Sequence, residues 1–351
     1  MYFSQLLTLS SEFSKEFLEK ADTYFAGLSN TARKHITVSK LADAIQSEYQ
    51  LAARLIQKCL DLGFLEKHFA LRCPTCETPI CEINSLSELN SKLLFCSVCE
   101  KDIEPDELNF ETDIILLFSI KSNDVPFVTG QQSDSLVLNA SERTAVHTDS
   151  FLQGVQYQLI TFDDVFALPA DFCEEFSGLI KEVKGIHQTT TAKGASLELL
   201  ICKLFSQCIL FKITNRHKSE TNQIDVMVRA VGSINSRLFK RMGGCFYIEC
   251  KNEKEKPSID YLLKLRSILH DADMKLGILV SKEKEPKTFR ENANHIFLRD
   301  GIVIIRLCLN EIELLIERHT NLLELLEKKI MEVETAAQNS LGMDGLQLYN
   351  A

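Results

Sequence analysis

Apolar residues fall into distinct regimes along the chain. Before residue 72 they recur at helical spacing. Thr37, a favoured cap residue, precedes the amphipathic turn pattern Val38 to Ile45. Ser47 precedes a second helical pattern, with Leu51, Leu55, Ile56, Cys59 and Leu60 apolar. Gly63 stops that helix, and Phe64 to Leu71 alternates like a strand pair or wing. Farther on the runs become continuous. Ile224 to Val228 and Cys245 to Lys251 read as strands apolar enough to be buried on both faces, and Gly301 to Leu309 reads as a last strand. Val165 to Val183 reads as helical. Glu311 to Glu334 carries Ile312, Leu315, Ile316, Leu322, Leu323, Leu325, Leu326, Ile330 and Val333 at near-heptad spacing. That spacing suits a dimerisation or partner helix, and equally a helix packed on its own domain. Phe110 to Ile120 is apolar with no assigned state, Lys121 to Ser150 reads as an irregular connector, and Ala336 to Ala351 reads as a frayed tail.

Polar residues that interrupt the buried runs carry the chemistry. Side chains two apart on a strand share a face, so Glu249 and Lys251 point the same way and Cys250 points the other. If the two strands pair, Asp225 joins them. Two carboxylates and an ammonium on one face suit a divalent metal with a cation beside its activated water. The competing reading is a strand-edge ion pair, but charges at the ends of buried strands are costly unless paired or functional.

These residues resemble the PD-(D/E)xK nuclease superfamily, the restriction-endonuclease-like fold, and within it the Mrr-type enzymes. The resemblance covers roughly residues 180–310. It implies that Lys193 to Phe205 is the helix carrying the family's Glu, with Glu198 in the matching place, and that Ile259 to Leu269 and Leu276 to Ser281 are the helix and strand after the E-x-K strand. Ile224 stands where the family often has Pro. It further implies a Mg²⁺- or Mn²⁺-dependent DNA endonuclease of a bacterial restriction or anti-phage type. Asp225 and Glu249 hold the metal, Lys251 steadies the nucleophile, and Glu198 serves a second metal, a water or the orientation of Lys251. Lys193, beside Gly194 at the helix start, is placed to contact phosphate.

Charge and cysteines refine this picture. The formal charge is −10, yet residues 181–256 hold 14 Lys and Arg against 7 Asp and Glu, a local excess that suits a polyanion. The N-terminus lacks a signal-peptide pattern, and no apolar run reaches the roughly 18–20 residues of a membrane span, so a cytoplasmic, non-membrane protein is expected. In such a compartment clustered cysteines read as metal ligands. Cys73-Pro74-Thr75-Cys76 and Cys96-Ser97-Val98-Cys99 are two CxxC knuckles at zinc-ribbon spacing, which predicts one structural Zn²⁺ on Cys73, Cys76, Cys96 and Cys99, with Cys81 a bystander. No HxH or HExxH pattern occurs among the eight His.

The N-terminal string resembles a winged helix-turn-helix. Its second helix would present Gln50, Arg54, Gln57, Lys58 and Asp61, a face of mixed sign, to DNA or to a protein partner. The expected organisation is a multidomain α/β chain: a winged helix over 1–72, a zinc ribbon over 73–110, a connector over 111–180, the nuclease-like domain over 181–310 and a C-terminal helix and tail over 311–351. DNA is the expected partner, with a protein partner or homodimer through the winged helix or C-terminal helix. The alternative function is a non-cleaving DNA-binding or adaptor protein.

Overall fold

The computed structural model describes residues 3–90, 92–121, 149–169, 172–185, 190–218, 223–253 and 257–348, with backbone alone at 190–193, 215–218, 223 and 340–348. The chain is mixed α/β and forms two compact units, Met1–Thr161 and Phe162–Ala351. Most of the connector expected over Lys121 to Ser150 lies outside the described residues.

The first unit begins with helices α1 (Ser4–Leu7), α2 (Lys15–Gly27), α3 (Val38–Ile45) and α4 (Tyr49–Asp61). The Thr37 side chain caps α3 by accepting the Lys40 N–H, as the sequence predicts. Ser47 does not cap α4: Glu48 is its N-cap residue, without a side-chain cap. Leu51, expected on the apolar stripe, is exposed, while Ala52 and Ala53 are buried in its stead. Strands β1 (Leu65–Arg72), β2 (Pro79–Ile83), β3 (Leu94–Cys96), β4 (Lys101–Ile103) and β5 (Ile114–Ile120) follow, and then α5 (Phe151–Gln156).

Phe64 to Leu71 is thus one strand with its turn, and not a strand pair. β1 lies between β2 and β5 in a three-stranded sheet, antiparallel to both. The apolar Phe110 to Ile120 run supplies β5, and the segment expected as an independent ribbon supplies β2. One sheet therefore draws strands from three of the segments the sequence divides. The reason is that β1 has two open edges: a strand between the two cysteine knuckles satisfies one, and the apolar run beyond them satisfies the other.

The second unit contains α6 (Phe162–Val165), α7 (Phe172–Lys184), α8 (Thr190–Phe205), β6 (Phe211–Lys218), β7 (Gln223–Ala230), α9 (Arg237–Met242), β8 (Cys245–Lys251), α10 (Ile259–Asp271), β9 (Leu276–Ser281), α11 (Lys287–Asp300), β10 (Val303–Cys308), α12 (Leu309–Glu317) and α13 (Leu322–Leu348). Its sheet runs β10-β9-β8-β7-β6. β6, β7 and β8 are antiparallel neighbours, whereas β8, β9 and β10 are parallel. Parallel pairing requires a crossover, and α10 and α11 provide it. α8 packs on β6, β7 and β8, with Phe205 against Phe246. On α10 and α11, Leu262, Leu265, Leu269, Phe289 and Ile296 share a core with Tyr247 and Leu279 of the sheet.

Val165 to Val183 is not one helix: Val165 ends α6, residues 166–169 are not helical, and α7 begins at Phe172. The near-heptad segment is likewise two, broken before α13 where His319 adopts a left-handed conformation at φ 49°. Leu322, Leu323, Leu326 and Ile330 are fully buried, and α13 packs on α11, α9 and β10. Its apolar stripe is the packed face of its own unit. The tail expected to fray is helical as far as Leu348.

Candidate functional site

In the second unit the site forms where β7 and β8 part. Their ladder pairs Val226 with Ile248. Just beyond, the Asp225 side chain replaces a backbone partner: its Oδ2 accepts the Cys250 N–H at 2.7 Å. Glu249 and Lys251 share a face as strand alternation requires, with Lys251 Nζ 2.7 Å from Glu249 Oε1. Cys250 points the other way and is buried, which pushes its thiol well up. Gly194 and Glu198 stand one helical turn apart on α8, and a Cβ on Gly194 would sit 3.8 Å from Glu198 Oε1. The Lys193 side chain lies outside the described residues.

Electrostatics tie the carboxylates together. Burial pushes Asp225 up to about 6, and the charge of Glu249 adds to the effect, with a smaller push from Glu198; the Cys250 N–H and Lys251 pull the other way. Glu249 is almost fully buried, and its Oε2 has no hydrogen-bond partner among the described residues. Buried carboxylate oxygens are nearly always satisfied, so this atom suits a cation or a donor. Burial works against the Lys251 ammonium, but Glu249, through hydrogen bond and charge, and Asp225 outweigh it and keep the group charged. The donor set is hard oxygen, which fits Mg²⁺ or Mn²⁺. The oxygens of Asp225, Glu249 and Glu198 do not close into a compact three-ligand cluster; among the described residues only the four cysteines do. Mg²⁺ commonly takes one or two carboxylates and completes its shell with water and phosphate.

α10 contributes two residues that sequence reasoning missed. The Tyr261 ring lies under Lys251, with Nζ 4.9 Å from its centroid, and its hydroxyl donates to Glu253 Oε1 at 2.6 Å. Lys264 Nζ is 3.5 Å from Glu249 Oε1. Their three-residue spacing predicts a shared helix side, but nothing local says that this side meets the end of β8.

In the first unit, Cys73, Cys76, Cys96 and Cys99 place their sulfurs within 4.8 Å of one another. The Cys73–Cys99 and Cys76–Cys96 pairs are 3.8 and 3.6 Å apart. A Zn–S bond of about 2.3 Å sets a tetrahedral S···S edge of about 3.8 Å, so the spacing fits one four-coordinate ion. Each knuckle turns at the residue after its second cysteine, Glu77 at φ 58° and Glu100 at φ 52°. The Thr78 hydroxyl and N–H hold the Cys76 thiol down at about 6, while hydrogen bonding with Cys76 pushes Cys99 up to about 12. Cys81 stands outside the cluster.

The face expected to read DNA is partly occupied. Arg54 and Lys58 both pair with Glu12, at 3.1 and 2.9 Å. Among the described residues no helix is long and apolar enough to cross a membrane. No protein-family model, curated protein or solved structure matches the chain.

Proposed function

We propose that the second unit is a Mg²⁺- or Mn²⁺-dependent DNA endonuclease of the PD-(D/E)xK type, with Asp225, Glu249 and Lys251 as its catalytic set and Glu198 in support. One observation carries the reading. Glu249 keeps a buried oxygen with no hydrogen-bond partner among the described residues, beside the half-buried Asp225, whose proton affinity burial and the charge of Glu249 together raise. Such an arrangement favours a bound cation. The helix–strand–strand–helix–strand order and the mixed sheet support the resemblance.

A bound divalent ion would supply Lewis-acid polarisation of the scissile phosphate and a water of lowered pKa. The chain's own residues do the rest. Asp225, fixed by the Cys250 N–H, and Glu249, fixed by Lys251, present oxygens in a set position. Lys251, steadied over Tyr261, offers one compact positive charge to a developing hydroxide. Glu198 adds negative charge from the α8 side. The four thiols of the first unit are proposed to hold a structural Zn²⁺, since four protein ligands leave no open position. A bacterial restriction or anti-phage role rests on the resemblance alone.

Incubating the full-length protein with supercoiled plasmid tests the reading. Nicked or linear product with Mg²⁺ or Mn²⁺, and none with EDTA, is the expected result. Intact plasmid under every cation, with duplex still bound, would favour the non-cleaving adaptor.

A further inference from the structure

α10 brings a second ammonium to the site, and its duty differs from that of the first. The helix is rigidly seated. Leu262, Leu265 and Leu269 are buried beneath it. Gly277 of β9 lies under the crossing, where a Cβ would come 2.5 Å from Leu269 Cδ1. This close approach fixes the root of Lys264 while leaving its four-carbon stem free.

The two lysines share one carboxylate oxygen on unequal terms. Lys251 is 21 % exposed, 2.7 Å from Glu249 Oε1, and backed by the Tyr261 ring. Lys264 is 53 % exposed and 3.5 Å from the same oxygen. Glu249 is its one ion-pair partner among the described residues. A half-exposed ammonium at that distance is weakly held, because solvent screens it and the contact is long. An ammonium is also an effective point-charge binder of phosphate.

We propose that Lys264 is a phosphate-binding residue of the nucleic-acid site, resting on Glu249 until a divalent ion and a backbone phosphate draw it away; this inference builds on the metal-dependent reading above. Two consequences of opposite sign follow from elementary charge. Without nucleic acid, Lys264 and the ion compete for Glu249, so the lysine weakens metal binding. With nucleic acid, both are attracted to one phosphate, so the lysine strengthens substrate binding.

Calorimetric titration of the full-length protein with Mn²⁺ reads the first effect. Lys264→Met should tighten Mn²⁺ by about 3- to 10-fold, and Lys264→Arg should not, because it keeps the charge. Duplex binding in Ca²⁺, chosen to hold off cleavage, reads the second. Lys264→Met should weaken it by about 5- to 10-fold and lower the salt slope by about one. Opposite-sign shifts support the proposal. Metal and duplex affinities that stay unchanged, or that both fall, overturn it. A wild type whose Mn²⁺ binding equals that of Asp225→Asn instead overturns the metal-dependent reading on which it rests.

Discussion

Cys73 and Cys76 lie three residues apart, as do Cys96 and Cys99, whereas Glu198, Asp225 and Glu249 are separated by 27 and then 24 residues. The thiols sit in two tight turns that carry their own geometry. The carboxylates stand on α8, β7 and β8, and come together only because one sheet neighbours those strands and α8 lies across them. The cysteine site gathers four soft donors within 4.8 Å. The carboxylate site keeps an open, unbalanced arrangement: among the described residues one Glu249 oxygen has no hydrogen-bond partner, and two lysines meet the other. A closed site stabilises a fold and an open one is free to meet a substrate, so the contrast fits the structural role proposed for the thiols and the catalytic role proposed for the carboxylates.

The sharpest way to break the contrast is to remove one ligand from the closed site. Cys96→Ser should lose most of the bound metal and several kcal/mol of first-unit stability, since structural zinc contributes on the order of 10 kcal/mol of folding free energy. Elemental analysis and thermal melting check it. Full zinc content with an unchanged melt would show that the thiols hold nothing.

In the open site the same operation should spare the fold and cost rate. Glu249→Ala and Lys251→Ala should each slow cleavage by about 10³-fold or more, and the double variant should be little worse than either, because groups acting on one step are not additive. Lys251→Arg should fail as well, since a planar guanidinium is not a compact point charge. Additive losses in single-turnover assays would place the two groups in separate steps.

A smaller effect has the opposite sign for stability. The carboxyl of Asp225 titrates at about 6 in the folded chain, above the roughly 3.9 of an unfolded aspartate, so the native state holds a proton that the unfolded chain releases. The ionised group therefore costs stability above pH 6, and that cost fades as pH falls from about 6 to about 4. In EDTA at pH 7.5, Asp225→Asn should be more stable than wild type by about 1–2 kcal/mol, discounted for partial exposure, with the gap closing near pH 4. Denaturant melts at both pH values check it, and a destabilised variant at pH 7.5 would show that Asp225 is structural.

The smallest effect concerns DNA contact by the first unit. Glu12→Ala frees Arg54 and Lys58 and should raise salt-sensitive duplex binding of the full chain about two- to fivefold. Unchanged binding would remove this helix face from any DNA interface.

How far the sequence could be read follows the same division. CxxC spacing and the Glu249–Lys251 alternation are local rules, and both residue sets sit as those rules require. The strands Ile224 to Val228 and Cys245 to Lys251 are long apolar runs, and both form. What escaped was set by tertiary neighbours. Ile114–Ile120 is a strand because β1 offers it an edge. A fragment ending at residue 110 would lose that ladder, so the winged-helix and ribbon segments are not separable there. Tyr261 and Lys264 belong to the site because Gly277 lets α10 come close. Arg54 and Lys58 look free in sequence, but Glu12, more than forty residues earlier, pairs with both.

Parallel plasmid assays of wild type, Glu249→Ala and Lys251→Ala with Mg²⁺, at equal protein and with EDTA controls, decide whether Glu249 and Lys251 cut DNA. Metal-dependent cleavage by wild type is expected, with loss of about three orders of magnitude in both variants, each still folded and zinc-loaded. Equal cleavage by all three would contradict this expectation and place the active site elsewhere.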